Sequence, residues 1–305
     1  MSTTSAPLTS TPQIQPTTVT AAAVAKKKLT SPWASLAAVV IAILWTLPTF
    51  GLAISSFRPE RAIKTTGWWT IFTDPQFTLE HYRAVLSSEG SSALGPFFIN
   101  SFVIAIPSVI IPLSLASLAA YAFAWIKFPG RNILFLVVFA LQIVPIQVTL
   151  LPLLTLYVDG GLANTFWTLW LSHSIFALPL AIYLLHNFMK EIPVTLLEAA
   201  RVDGAGHISI FFKVLLPLLR PALAAFGIFQ FLWVWNDLLV ALTFAGGGQE
   251  IAPITAALAN LSGTRGTAWH LLSAGAFVSI LVPVTVFLLL QRYFVRGLLA
   301  GGVKG

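Results

Sequence analysis

The sequence contains no cysteine, and only 9% of its 305 residues are Asp, Glu, Lys or Arg. The first absence excludes a disulfide framework, a thiolate nucleophile and a zinc–sulfur site together. The second excludes an ordinary water-soluble exterior, because soluble domains carry about a quarter charged residues. A phosphate-binding loop is missing too: G-x-x-x-x-G-K-[ST] occurs nowhere, and Gly246, Gly247 and Gly248 have no lysine behind them. Any nucleotide must therefore bind to another chain. The five histidines lack the i, i+4 His-x-x-x-His pairing of a metal site. No serine–histidine hydrolase signature, fixed-period repeat or heptad is present.

What the chain has is apolar surface. Hydrophobic residues make up 57% of it, and its mean hydropathy is +0.87. Six apolar segments, about 33–57, 97–126, 132–157, 166–189, 221–245 and 270–291, are long enough to cross a hydrocarbon layer of about 30 Å as helices. Helix is required because lipid offers backbone amides and carbonyls no partner. Several segments contain proline (Pro48, Pro107, Pro112, Pro145, Pro152, Pro179, Pro283), which in a membrane bundle is expected to kink a helix rather than end it.

The net charge of +7 does not point to nucleic acid, because the basic residues sit beside the ends of the apolar segments, where cytoplasmic loops hold them. If the N-terminus is inside, the inner segments hold Lys26, Lys27, Lys28, Lys127, Arg131, Lys190, Arg201, Lys213, Arg220, Arg292, Arg296 and Lys304. The outer ones hold Arg58, Arg61, Lys64, Arg83 and Arg265. This imbalance places both termini in the cytoplasm. Residues 1–32, rich in Ser, Thr, Pro and Ala, read as a disordered cytoplasmic tail in front of a membrane domain, 33–305. The first apolar run exceeds the 7–15 apolar residues of a signal peptide, so it is expected to be retained as a span.

Two connections are too long for turns. In 58–96 an amphipathic run over 78–86 suits a helix lying at the membrane surface. In 190–220, Pro193 fits the first position of a helix and Gly204 the left-handed residue just past its end, which bounds a helix of about ten residues. Beyond the glycines, Ile208, Phe211, Phe212, Leu215 and Leu216 fall at i, i+3, i+4, i+7 and i+8, the apolar stripe of a second short helix. The two helices are expected to meet at an angle around Gly204, one packed on the bundle and one projecting. Periodicity alone leaves open that this is only an interfacial hairpin.

Glu198, Ala199 and Ala200, then Asp203, Gly204 and Ala205, then 216–218 (LPL) with Pro221 behind, resemble the EAA motif of ABC importer permeases. The resemblance extends over most of the chain, to the smaller permease subunit of carbohydrate uptake systems of the maltose type. It takes in 78–83 (TLEHYR), Asn100 with Ser101, 119–124 (AAYAFA), 128–131 (FPGR), 145–149 (PIQVT), 235–237 (WND), 292–297 (RYFVRG) and 302–305 (GVKG). The Ser/Thr-rich N-terminal extension has no counterpart. The resemblance implies an all-α integral membrane protein of six transmembrane helices, a MetI-like bundle in a prokaryotic inner membrane. The first helix of 190–220 would be a coupling helix, with Glu198 facing an ATPase and Gly204 setting the angle. Implied partners are a sister permease, an ATPase dimer that holds ATP and Mg, an extracytoplasmic sugar-binding protein and membrane lipid. The chain itself would hold no cofactor, and the loop 245–268 would meet the binding protein.

For a sugar path, the one acid inside a predicted span is Asp237, about 24 Å along the fifth helix from Pro221 and so toward its outer half. With Trp235 and Asn236 it combines aromatic and polar groups suited to sugar faces and hydroxyls. The alternative is a structural hydrogen bond to a neighbouring helix. Gln142 and Gln147 join these candidates, while His173 and Gln230 are read as cavity liners or interhelical hydrogen bonds. A competing function is ion-coupled secondary transport, against which a single intramembrane acid and six spans argue.

Overall fold

The computed structural model describes residues 32–87, 93–262 and 268–302, so Lys26 to Lys28, Arg265, Lys304 and most of the N-terminal tail lie outside the described residues. The described chain is helical. It divides after Gly51 into two compact units. The first apolar run is one helix, α1 (Pro32–Ser56), continuous through Pro48.

The remainder begins with a connection built around a buried arginine. Arg58 donates to the carbonyl of Gly67 (2.8 Å) and to the hydroxyls of Thr66 (2.5 Å) and Thr70 (2.8 Å), which folds α2 (Glu60–Thr65) and the 3₁₀ turn Trp68–Phe72 around it. The Arg58 carbonyl meets His81 Nε2 at 2.9 Å and so fixes α3 (Glu80–Leu86), the predicted surface helix, by its buried face of His81 and Val85.

Two long helices, α4 (Gly95–Trp125) and α7 (Phe166–Glu191), form the centre. Ala116 and Ala120 of α4 and Ala177 and Ala181 of α7 are buried in one cluster. Lipid tails are as apolar as leucine and give helices no hydrophobic reason to associate, so small residues that permit close backbone approach supply the contact. Pro107, Pro112 and Pro179 sit inside these helices without ending them, as expected.

Two expectations fail. The predicted third span, 132–157, is not one helix. Instead α5 (Arg131–Ala140) runs into a 3₁₀ turn, Leu141–Ile143, and α6 (Ile146–Asp159) leaves at a bend of 101°. Pro145 has no amide to donate and pushes the residue before it out of the helical region, and Val144 is extended (ψ 120°). The predicted fifth span, 221–245, is shifted. A continuous helix α9 (His207–Trp235) begins in the hairpin, contains a π-helical stretch, Ile210–Leu215, and stops at Trp235, and the short α10 (Leu239–Phe244) comes after it. The chain ends with α11 (Ile254–Ser262) and α12 (Trp269–Gly302). Among the described residues, five helices are long and apolar enough to cross a membrane, or six if the bent pair α5–α6 is one span.

Candidate functional site

Between α7 and α9 lies α8 (Val194–Val202), with Pro193 at its N-cap, one position earlier than expected. Its end has the hydrogen bonds of a Schellman motif: Gly204 donates to Arg201 (3.0 Å) and Ala205 to Ala200 (2.9 Å). Gly204 has φ +82°, with open space where a Cβ would stand, so backbone conformation and not crowding demands glycine there. Leu197 is 2% exposed and anchors the helix, with Ala200 and Ala205 packed against the same cluster. Glu198, Ala199 and Asp203 point to solvent.

The apolar stripe predicted for the second helix splits. Phe211 and Leu215 are buried together with Ile210, whereas Ile208 is 77% and Phe212 56% exposed. A π-helical stretch, Ile210–Leu215, runs through this stripe, and its wider turn departs from the 3.6-residue spacing on which the stripe was predicted. The hairpin therefore exposes apolar residues, Val202 at 87%, Ile208 and Phe212, as well as the charged Glu198. One link escaped the sequence reading: Tyr121, near the end of α4, shares a hydrogen bond of 2.7 Å with His207 Nδ1 and packs edge-on against Phe211. A lone tyrosine closing an apolar span and a lone histidine after Gly206 were the available signals.

The second candidate region is the elbow between α5 and α6. A cavity of about 690 Å³ lies there, bounded by the bend, one face of α7 and one face of α9. Gln142 and Gln147 line it, as do Thr149, Phe229, Gln230 and Trp233. Gln230 is 1% exposed. Its amide nitrogen donates to the carbonyl of Ser108 (3.2 Å) and approaches that of His173 (3.5 Å), and its Oε1 has no protein partner.

Trp235, Asn236 and Asp237 are not brought to this cavity. Trp235 is buried among Phe98, Phe102 and Phe231, and its indole donates to Ser279 of α12 (3.2 Å). Asn236 is exposed and returns a bond to Leu232 (2.7 Å). Asp237 lies just past the end of α9, where its carboxylate accepts the amides of Ala241 (3.0 Å) and Val240 (3.4 Å), and it is 3.9 Å from His173 Nε2. These bonds satisfy the free amides that begin α10.

In the connection after α10, Asn100 donates to the carbonyls of Gln249 (2.9 Å) and Ala252 (3.1 Å), and Ser101 accepts the amide of Ile254 (2.9 Å). The loop expected to meet a binding protein is thereby tied to α4, and its residues 263–267 lie outside the described residues.

Compared with known proteins, residues 113–299 match the model of a family described as binding-protein-dependent transport system inner membrane component. An osmoprotective compounds uptake permease protein of Synechocystis sp. is 54% identical over 273 residues, covering 88% of this chain and 91% of its own length. An alpha-glucoside transport system permease protein of Rhizobium meliloti is 52% identical over 257 residues, covering 83% and 67%. Among solved structures, a chain of a bacterial ABC transporter involved in the import of the acidic polysaccharide alginate superposes with TM-score 0.71 at 19% identity, covering 88% of this chain and 98% of its own.

Proposed function

Starting from the fact that this chain belongs to the family of binding-protein-dependent transport system inner membrane components, we propose that it forms, with a sister permease, the path by which an α-glucoside or related oligosaccharide crosses the inner membrane. It is a permease subunit of an ATP-binding-cassette importer. Its α8 is the coupling helix, and Glu198, Ala199, Ala200, Asp203, Gly204 and Ala205 form the segment that seats in an ATPase dimer holding ATP and Mg. Both termini and α8 face the cytoplasm, and the connection after α10 faces an extracytoplasmic sugar-binding protein.

The observation that carries this reading is the hairpin itself: a short helix locked at its end by the left-handed Gly204, anchored inward by Leu197, and exposing Glu198 and the apolar Val202, Ile208 and Phe212. Exposed apolar residues on an element that also exposes charge suit a protein partner. A rigid element passes displacement on where a loose loop absorbs it. Its continuation through Ala205 and Gly206 into α9 gives the displacement a direct way into the bundle.

The test uses the natural absence of cysteine. In membranes holding the assembled transporter, Arg201→Cys carrying a photo-activated maleimide should be captured on one protein, and peptide mass spectrometry should find a phosphate-loop ATPase. Capture of lipid alone, or of no nucleotide-hydrolysing protein, overturns the coupling assignment.

A further inference from the structure

We infer that the elbow cavity is a binding site for an uncharged, hydroxyl-rich ligand, a neutral glycosyl unit, and that it rejects sugars carrying carboxylate or phosphate; this rests on the importer reading above. A cavity of about 690 Å³ falls within the range of about 300–1,000 Å³ typical of small-molecule sites. Its polar side chains are three amides, a hydroxyl and an indole, Gln142, Gln147, Gln230, Thr149 and Trp233. An amide both donates and accepts, which is what a sugar hydroxyl needs of its neighbour. Phe229 and Trp233 add flat apolar surface for the C–H faces of a pyranose ring.

None of the lining residues is Asp, Glu, Lys, Arg or His. Asp237, the acid nearest in sequence to this face of α9, is occupied in starting α10. A carboxylate entering such a cavity would lose its water and gain no counter-charge. Burying an unpaired ion costs far more than burying a hydroxyl that finds an amide. A neutral ligand avoids that cost.

The broken backbone of the elbow favours a wet cavity. Non-helical backbone at membrane depth persists only where protein buries it or where it lines a water-filled space. The break at Val144 and Pro145 interrupts a helix pair apolar enough to span, and both residues line the cavity.

The experiment is substrate protection of single cysteines in membrane vesicles holding the complete transporter. Gln147→Cys and, as a second site, Gln142→Cys are labelled with a neutral water-soluble maleimide, with Thr73→Cys outside the cavity as reference. Maltose is the neutral probe and digalacturonate the acidic one. Maltose is expected to slow labelling of both cavity cysteines at least threefold, while digalacturonate and the reference site show no change. Equal protection by both probes, stronger protection by the acidic one, or no protection by either overturns the assignment. The capture at Arg201→Cys separates the two failures: if the ATPase is captured while neither sugar protects, the importer reading stands and this site falls.

Discussion

At the scale of single residues, Gly204 and Tyr121 carry distinct burdens. The left-handed conformation at Gly204 costs a residue with a Cβ about 1–2 kcal/mol, and a β-branched side chain tolerates it worst. Asparagine visits that region far more readily. Gly204→Val should therefore leave the protein in the membrane but abolish sugar-stimulated ATP hydrolysis, while Gly204→Asn retains most of it. Wild-type stimulation in both variants would show that the angle at the end of α8 is irrelevant. Tyr121→Phe keeps the ring against Phe211 and removes only the hydrogen bond to His207, a loss of about 1 kcal/mol. It should raise the ATP hydrolysed per sugar moved by a few-fold without changing expression, read by paired uptake and phosphate-release assays. Gly204 was legible in the sequence because the left-handed end of a helix has a residue signature. The Tyr121–His207 bond was not, because it joins positions 86 apart in the chain and no local pattern encodes such a meeting.

At the scale of elements, Asp237 separates structural from transport roles. Standing one residue before the N-cap Leu238 and accepting the amides of Val240 and Ala241, it is replaceable by asparagine, whose side-chain oxygen accepts the same amides, but not by alanine, which costs about 1 kcal/mol. Asp237→Ala should lower the transporter's yield and uptake together, and Asp237→Asn should restore both. A charge needed in the path would instead leave Asn as damaged as Ala, with yield unchanged. Hydropathy located most of the long helices because length and apolarity are additive along a chain. It missed the elbow between α5 and α6 and the stop after Trp235, since each depends on where a few hydrogen bonds go. Pro145 and Pro152 look alike in sequence, yet one breaks the chain and the other sits within α6. The difference lies in the 3₁₀ turn that precedes Pro145 and the cavity that accepts its open backbone.

At the scale of the whole molecule, the family match is to a component of binding-protein-dependent transport, and the proposed function divides the work among chains. Vesicles containing the chain with its partners should take up sugar only when ATP and Mg are supplied, and an imposed proton or sodium gradient without ATP should give none. Uptake by the chain alone on such a gradient would restore the secondary-transport alternative.

The elbow has a consequence for the surrounding lipid. With 10 and 14 residues, its two arms are about 15 Å and about 21 Å long, so neither alone reaches across a layer of about 30 Å. A straight rod adapts to a thicker or thinner bilayer by tilting, but a jointed one can adapt by changing the angle at its joint. Because that joint also forms the wall of the cavity, acyl-chain length becomes a control on the room inside, and reconstitution across lipids of graded chain length should give a maximum in transport rate instead of a plateau.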